Sequence, residues 1–548
     1  MNEKCFCHLN GYRVKDSVAR QQIEQIGITP QMYGAIGNGE ADDTERINAM
    51  FNDIQDGDTV FFPSGTYRVS KRNGITISET GLPRYSCIRV NGKNNIKIVL
   101  SPGAKIKCDL VTETTQVGIF YFNDCNNIEI TGGSIIGELD IHGSEEVNSG
   151  INGIEIRYCN NIYINDMTIT NCLGDGILVA PNTSTGQPLE NIIIENCKIY
   201  DCDRNGITYE GVHNGIIRDC VIYNITGHSP KAGIDLESEW KQNTNNLHNQ
   251  DILITGCNIY NCDKAVIHST ESYDTLISNC NFNSLSVIQS GTSKGDLKII
   301  NSKLGKFAYC YKVDVENCDI EGVNSSSVSE GETAKGYFKN CNIKVKKYSN
   351  NAPIEIYSNG DSMMFENCVF LNENPEFTSS TFFVSKKSNY TKPYTLRFMG
   401  CTIYVWDNIK MFEAGSGVTK LLELIKCNFI YKTKEVIRPL LLAQLSFFKM
   451  IDCVIHCEEM LSGMSADVGV THGLLSIRHI DENSIHIIAG NKIICLGTLK
   501  SFVTFKNGMD LGQTFLFNNI SSIDNICNNT TSGTLLSYGN VDLSTLSQ

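Results

Sequence analysis

The chain has 548 residues, 41% of them hydrophobic, and only 11 prolines, which is the composition of a folded protein. The formal net charge of −14 comes without a basic patch, and this argues against a nucleic-acid partner. No apolar run approaches the roughly 18 residues that a membrane span requires, and residues 1–8 lack the apolar core of a secretory signal. We therefore expect synthesis in a reducing cytosol, without membrane insertion.

Residues 1–30 form a separate opening segment. A turn at Asn10-Gly11 precedes a short predicted helix with four apolar side chains loosely on one side: Val14, Val18, Ile23 and Ile26. The segment resembles the short N-terminal segment of phage tail and baseplate proteins, which implies docking to the phage tail or baseplate. A plain helical cap is the alternative interpretation.

Residues 31–90 carry a more specific pattern. The run from Tyr33 to Thr44 reads Y-G-A-I-G-N-G-E-A-D-D-T, with Asp43 or Thr44 as the predicted N-cap of a helix. That helix has four apolar residues on one face: Ile47, Met50, Phe51 and Ile54. A strand, a Pro-Ser-Gly turn and a second strand follow over residues 57–69. This pattern resembles the start of the pectate-lyase-like superfamily of right-handed parallel β-helices. The resemblance implies that the helix covers the open end of the coil, and that Asp42 and Asp43 are structural.

A repeat occupies residues 91–460. Short Asn-Ile strands recur every thirty-odd residues, beginning near Asn94, Asn126, Asn160 and Glu190. Short strands separated by regular turns indicate a solenoid, with successive turns about 4.8 Å apart. Asparagine tolerates left-handed backbone geometry and can bond its neighbours along a stack, so it suits the corners. We predict an all-β, single-stranded right-handed parallel β-helix with a short N-terminal helical cap.

The chain has 23 cysteines, which recur about once per repeat, many of them as Asn-Cys or Asp-Cys before an apolar-polar-apolar strand, as at Cys197 and Cys220. Their odd number and repeated setting predict small buried thiols and not disulfides. No CxxC pair supports a zinc site, so we predict neither a metal nor a cofactor. Beyond the repeat, residues 461–548 retain strand-like runs without a clear register, and we expect a β-rich C-terminal cap or an oligomerisation region there.

Five strands between residues 153 and 270 share one alternating pattern. Their inward positions are predicted to be Ile154, Ile177, Ile207, Ile234 and Ile267. The opposite positions would then form a flat outer face that brings together four polar residues: Glu210, Asp235, Glu237 and His268. Asp175 lies in the turn before the second of these strands. This face is the predicted site of the chemistry.

Four carboxyl groups are the candidate catalytic residues: Asp175, Glu210, Asp235 and Glu237. Hydrolysis of a glycosidic bond commonly uses one protonated and one ionised carboxyl group. Residues two apart on a strand lie roughly 7 Å apart and those on neighbouring turns roughly 5 Å apart, so both retaining and inverting geometries stay open. Crowding of the carboxylates should raise their pKa values.

Five further residues are candidates for substrate binding: Arg157, Arg204, His228, Trp240 and His268. The Gly-Ile-Asp-Leu-Glu segment ending at Glu237 resembles a stretch common in phage-tail and bacterial members of the superfamily, and this implies that Asp175, Asp235 and Glu237 lie in a carbohydrate groove. The motifs of calcium-dependent pectate lyases and of polygalacturonases are missing, so pectin is not implied as the substrate.

The resemblance implies a phage or prophage tail spike that binds bacterial surface polysaccharide and cleaves it as a glycoside hydrolase. It also implies a homotrimer located in the virion tail and acting outside the cell. Two alternatives stay open: a bacterial polysaccharide lyase or hydrolase unrelated to phage, and a non-catalytic adhesin or structural spike. A lyase would leave an ultraviolet-absorbing product, and a hydrolase would not.

Overall fold

The structure, a computed structural model, describes these residues: 27–72, 76–77, 83–109, 116–139, 150–181, 186–237, 247–269, 272–283, 286–290, 295–309, 311–325, 334–345, 354–356, 362–372, 381–385, 394–405, 410–414, 420–431, 441–445, 447–457, 475–479, 485–495, 503–505, 513–520, 527–528 and 535–537. The predicted helix before Ile26 lies outside them, as does Trp240. The chain divides into two compact units, Met1–Ala265 and Val266–Gln548.

The first unit contains a 3₁₀ turn at Pro30–Tyr33 and the helix α1 at Thr44–Asp53. Its strands are β1 Asn38–Asp42, β2 Thr59–Phe62, β3 Gly65–Val69, β4 Thr76–Ile77, β5 Pro83–Asn91, β6 Asn94–Leu100, β7 Ala104–Cys108, β8 Gln116–Asn123, β9 Asn126–Thr131, β10 Ser134–Ile136, β11 Ile151–Arg157, β12 Asn160–Asn165, β13 Thr168–Thr170, β14 Ile177–Ala180, β15 Leu189–Glu190, β16 Ile192–Glu195, β17 Lys198–Tyr200, β18 Asn205–Glu210, β19 Val212–His213, β20 Ile216–Arg218, β21 Val221–Ile225, β22 Ala232–Glu237, β23 Asn249–Gln250, β24 Leu253–Thr255 and β25 Asn258–Cys262.

The strand β26 Lys264–Ser269 includes the boundary between the units. The second unit continues with β27 Ser272–Tyr273, β28 Thr275–Ser278, β29 Asn281–Phe282, β30 Ser286–Ser290, β31 Leu297–Ile300, β32 Lys303–Tyr309, β33 Lys312–Glu316, β34 Asp319–Ser325, β35 Lys335–Lys339, β36 Asn342–Val345, β37 Ile354–Ile356, β38 Ser362–Glu366, β39 Val369–Asn372, β40 Thr381–Ser385, β41 Tyr394–Met399, β42 Thr402–Val405, β43 Lys410–Ala414, β44 Lys420–Ile425, β45 Asn428–Tyr431, β46 Leu441–Leu445, β47 Phe447–Ile451, β48 Val454–Cys457, β49 Leu475–His479, β50 Ile485–Cys495, β51 Val503–Phe505, β52 Gln513–Ile520, β53 Cys527–Asn528 and β54 Leu535–Ser537.

Three parallel sheets run through the first unit, because each strand pairs with the equivalent strand of the next turn. The first sheet is β5-β8-β11-β14-β18-β22, the second is β2-β6-β9-β12-β16-β20-β24, and the third is β3-β7-β10-β13-β17-β21-β25. The short strands β15, β19 and β23 pair at one corner. This is the predicted parallel β-helix.

The inward isoleucine stack is confirmed for the strands of the first unit. Ile154 pairs with Ile177, Ile177 with Ile207, and Ile207 with Ile234, and none of these side chains is exposed. In the second unit, an aromatic stack takes the same inward role. Phe338, Phe365 and Phe398 are aligned on successive strands, with ring centroids 5.0 Å apart at each step. The described strands from β49 to β54 also pair in parallel.

Asparagine corners and buried thiols accompany each turn, as predicted. Asn127 adopts a left-handed conformation (φ 57°), and its Nδ2 donates to Asn95 Oδ1 of the preceding turn at 2.6 Å. Seventeen cysteines of the described ranges, between Cys87 and Cys453, are free and buried. Their thiols donate to nearby carbonyl oxygens, as Cys159 Sγ does to Arg157 O at 3.0 Å. They are therefore small core residues.

The helix α1 covers the start of the coil. It buries Ile47, Met50 and Phe51, and Asn48 reaches the backbone of β5. Asn48 Nδ2 donates to Cys87 O at 2.8 Å, and Asn48 Oδ1 accepts from Arg89 N at 2.9 Å. The helix thereby satisfies backbone groups at a strand edge that would otherwise lack partners.

The two aspartates before α1 have the predicted structural role, but Asp42 makes the capping contact that was expected of Asp43 or Thr44. Asp43 occupies the N-cap position without capping the helix; its carboxylate accepts from Ile36 N and Gly37 N at 2.7 and 2.9 Å. Asp42 Oδ1 accepts from Thr44 N at 2.9 Å and so takes the capping contact.

Candidate active site

The first sheet places the candidate carboxyl groups in two columns. Thr208 pairs with Asp235 between β18 and β22, and Glu210 pairs with Glu237 two residues further on. The alternation was therefore predicted correctly for β18 and β22. It was wrong for β26, where Val266 and His268 are buried and Ile267 is partly exposed, so that His268 takes an inward and not an outward position. The prediction of an open, flat outer face is wrong, because Thr208 and Asp235 are 0% and 3% exposed. The outer face is thus enclosed at Thr208 and Asp235, whereas Glu210 and Glu237 are partly exposed.

Asp175 lies in the turn before β14, as predicted, and its backbone is fixed on both sides. Its amide donates to Asn152 Oδ1 at 2.9 Å, and its carbonyl accepts from Gly153 N at 3.0 Å. The side chain is fully buried, and Oδ2 accepts from Thr208 Oγ1 at 2.7 Å. The other oxygen, Oδ1, is buried without a hydrogen-bond partner in the described part of the chain. Burial raises the pKa of Asp175 to about 6, although the charge of Arg204 and the Thr208 hydrogen bond act in the opposite direction.

Asp235 has the most strongly raised carboxyl pKa of this group. Burial raises the pKa to about 8, and the negative charges of Glu237 and Asp175 add to the shift. Crowding was the predicted cause, whereas removal from water is the larger one. At neutral pH, Asp235 therefore carries a proton while most of the Asp175 carboxyl groups are ionised. Two carboxyl groups of one network are thus held in different protonation states.

Asn205 and Thr208 join these two carboxyl groups. Asn205 Nδ2 donates to Asp235 Oδ2 at 3.2 Å and to Thr208 Oγ1 at 3.1 Å. Thr208 in turn donates to Asp175. Asn205 is itself fixed because its Oδ1 accepts from Ala232 N at 3.0 Å. Neither residue was predicted as part of the site, although Thr208 shares the outward position with Asp235.

Arg204 connects the buried carboxyl groups to the surface. Its Nη1 lies 3.2 Å from Asp175 Oδ2, and its Nη2 lies 3.6 Å from Glu237 Oε2. The negative charge of Asp175 raises the pKa of Arg204. The Glu237 side chain is 47% exposed and that of Arg204 is 34% exposed, against 0% for Asp175. The network therefore opens towards solvent at Glu237 and Arg204.

Arg157, on β11, forms a buried ion pair with Glu155. Its Nε donates to Glu155 Oε1 at 2.6 Å, and Asn152 Nδ2 donates to Glu155 Oε2 at 3.2 Å. Burial alone would lower the pKa of Arg157, but the negative charges of Glu155 and Glu210 raise it above its ordinary value. Arg157 is only 6% exposed. Glu155, which the sequence analysis did not select, is thus its principal partner.

His228 contacts Asp203 through Nδ1, close to the turn that carries Arg204. A glycine is needed at position 227, because a Cβ there would lie 1.6 Å from Asp203 Oδ1.

His268, in the second unit, is fully buried, and neither ring nitrogen has a hydrogen-bond partner among the described residues. Burial lowers the pKa of His268 to about 4, so the ring is neutral at physiological pH.

Within the described ranges, no group of three or more His, Cys, Asp or Glu side chains could hold a metal ion. The same ranges contain no helix of the length and apolar character needed to cross a membrane.

Comparison with known proteins agrees with this fold. A family model described as "Right handed beta helix region" matches residues 128–304. A 226-residue region is 30% identical to the pre-neck appendage protein of Bacillus phage phi29, covering 38% of this chain and 24% of that protein. The chain is a parallel β-helix protein with phage relatives.

A second relative is YclG of Bacillus subtilis strain 168, an uncharacterised protein. It is 32% identical over 219 residues, which make up 37% of each chain. The chain thus spans less than half the length of either relative. Among solved structures, an exopolygalacturonase from Thermotoga maritima has a TM-score of 0.41 at 13% identity, over 64% of this chain and 95% of that one. That similarity carries no information on activity.

Proposed function

We propose that this phage-related β-helix protein binds bacterial surface polysaccharide and hydrolyses it at the Asp175–Asp235–Glu237 site. The observation that carries the proposal is the network in which Asn205 and Thr208 link the buried carboxyl groups of Asp175 and Asp235. Asp235, with a pKa near 8, is protonated at neutral pH, and Asp175, with a pKa near 6, is mostly ionised. Glycoside hydrolysis needs one carboxyl group in each state.

In this mechanism, Asp235 donates its proton to the leaving glycosidic oxygen. Asp175 Oδ1, a buried acceptor without a hydrogen-bond partner in the described chain, accepts a proton from the attacking water. Glu237 and Arg204, the more exposed members, contact the sugar hydroxyl groups at the mouth of the site. Glu210 places a second negative charge beside Glu237, and Arg157 offsets the charge of Glu210. His228 and Trp240 remain proposed substrate-binding residues, whereas His268 is not proposed again, because it is fully buried in the second unit.

The virion context is part of the same proposal. The phage phi29 relative is a pre-neck appendage protein, and this supports attachment of the chain to a phage structure. We assign that attachment to residues 1–30 and propose a homotrimer that acts on the cell surface. Cross-linking of the purified chain and of virions carrying it would test both points. A monomer in solution and on the virion would contradict the trimer.

The catalytic proposal is tested by oligosaccharide release from wall or capsule polysaccharide. Reducing ends and ultraviolet absorbance are followed together for the wild type, Asp175→Asn, Asp235→Asn and Glu237→Gln. A hydrolase produces reducing ends without absorbance, and the variants should lose this activity while they keep their fold. Release with absorbance would indicate a lyase instead.

One observation favours a second function, that of a non-catalytic glycan-binding spike. Asp175 and Asp235 are 0% and 3% exposed, and Arg157 is held in an ion pair. Buried polar groups that are linked to one another can serve only to specify the structure of a sheet face. Binding of a host glycan without any new chain ends would support this function.

A further inference from the structure

Asn249 makes an unusual set of contacts where β22 ends. The side chain is fully buried, and its Nδ2 donates to Glu237 O at 2.9 Å and to Tyr209 O at 3.0 Å. Its Oδ1 accepts from Val212 N at 2.9 Å. One side chain therefore bonds to three backbone groups on β18, β19 and β22, with both amide hydrogens in use.

These contacts fall beside the two aligned glutamates. Glu237 is the last residue of β22, and Tyr209 directly precedes Glu210, the register partner of Glu237. After Glu210 the chain turns at Gly211, whose φ of 65° is left-handed. A Cβ on Gly211 would lie 3.4 Å from the backbone of Leu247, so the turn packs closely against the segment that carries Asn249.

We propose that Asn249 is a positioning residue, which holds the ends of β18 and β22 so that Glu210 and Glu237 keep their register in the site. The inference rests on the proposed function for its effect on turnover. The physical reason is the tolerance of catalysis to displacement: a shift of about 1 Å in a positioned group can cost as much as a hundredfold in rate. A single amide that bonds to the carbonyls of both strand ends fixes the distance between them.

The test is Asn249→Asp, which keeps an acceptor for Val212 N and loses both donors. An ionised carboxylate would face the carbonyls of Glu237 and Tyr209, so at a pH high enough to ionise it we expect kcat to fall about tenfold or more, with a smaller change in KM. At low pH, the protonated acid can again donate one hydrogen bond. The ratio of variant to wild-type kcat should therefore recover as the pH is lowered.

Asn491→Asp in the second unit is the matched control. Asn491 is equally buried; its Nδ2 donates to Met450 O at 2.9 Å and its Oδ1 accepts from Cys453 N at 2.9 Å. We expect a comparable loss of stability without the loss of kcat. An equal kcat deficit in both variants, or a deficit at Asn249 confined to KM, would overturn the inference.

A second variant covers the case in which Asn249→Asp does not fold. Asn249→Ser is shorter and neutral, and amide exchange at Val212 and Glu237 can be measured without any substrate. Faster exchange at Val212 than in the wild type, together with the loss of kcat, supports the inference; unchanged exchange overturns it.

If the wild type cleaves nothing, the proposed hydrolysis fails by itself. Weaker glycan binding by Asn249→Ser than by Asn491→Ser would then still support positioning, and equal binding would overturn it.

Discussion

Asp175 and Asp235 lie on turns of the coil separated by a complete repeat, yet two side chains connect them. Thr208 donates to Asp175 at 2.7 Å, and Asn205 bonds both Thr208 and Asp235. The two carboxyl groups therefore form one network, in which burial raises both pKa values while Arg204 and the Thr208 hydrogen bond keep that of Asp175 lower. A β-helix can build such a network from short strands because equivalent positions recur at each turn.

The pH dependence of activity should be bell-shaped. The base, Asp175, must be ionised and the acid, Asp235, protonated, so kcat should be highest between about pH 6 and about pH 8. Initial rates of reducing-end release across this range would measure the limits. A rate that keeps rising above pH 9 would contradict Asp235 as the acid.

Arg204→Gln should shift the pH range of highest kcat to higher pH. The positive charge of Arg204 lowers the pKa of both Asp175 and Asp235, so its removal raises both values. We expect the acidic limb to shift to higher pH, together with a lower rate at pH 6. Arg218→Gln is the matched control, because Arg218 pairs with Glu195 on the second sheet. A profile that shifts equally in both variants would contradict the local assignment.

Asp235→Asn should change the pH dependence of stability. Folded Asp235 keeps its proton up to about pH 8, whereas the unfolded side chain loses it above the ordinary value of 3.8. Wild-type stability therefore declines as the pH rises through this interval, and asparagine removes the decline. We expect the variant to gain stability over the wild type between pH 5 and pH 8, as measured by urea denaturation. If the stability difference between the variant and the wild type does not grow with pH, the raised pKa of Asp235 is refuted.

His268→Leu should protect the second unit against acid. The folded ring titrates at about 4 and the unfolded ring at 6.5, so stability is lost as the pH falls through that interval. Leucine has no such proton linkage, and it leaves no ring nitrogen unsatisfied. We expect a higher Tm for the variant at pH 5 and a smaller difference at pH 8. His456→Leu, at an exposed position of the same unit, should show no such gain.

Asn48→Leu should weaken the N-terminal cap. It removes the bonds to Cys87 O and Arg89 N and leaves buried backbone groups unsatisfied, at a cost of about 3 kcal/mol in the free energy of unfolding. Asn52→Leu, exposed on the same helix, should cost far less. Chemical denaturation of both variants would check the difference, and equal losses would contradict the capping role of Asn48.

The fold was predictable because its signals are local and repeated. The strand alternation places Ile154, Ile177 and Ile207 in one stack, and asparagine at the corners follows from its tolerance of left-handed geometry. The helix α1 could be assigned from its apolar face. Its capping contact could not. The prediction was Asp43 or Thr44, but Asp43 bonds the loop of Ile36 and Gly37, and Asp42 makes the contact instead.

The site was predictable only in part. The alternation of the strand identifies Asp235 as an outward residue. It does not show that this position is enclosed, because enclosure depends on contacts with residues distant in sequence. Asn205 could not be predicted for the same reason, because its role depends on its hydrogen bonds to Thr208 and Asp235. It also explains why crowding was expected to raise the pKa of Asp235, when burial is the larger cause.

The measurement that tests the central claim most directly is reducing-end release by wild type, Asp235→Asn and Glu195→Gln on a host polysaccharide that all three bind. Glu195 is a matched control because it is also buried and bonded, to Tyr163 and Arg218, on the second sheet. We predict that Asp235→Asn lowers release by about a hundredfold or more, whereas Glu195→Gln keeps it near the wild-type rate. Undiminished release by folded Asp235→Asn would contradict the account.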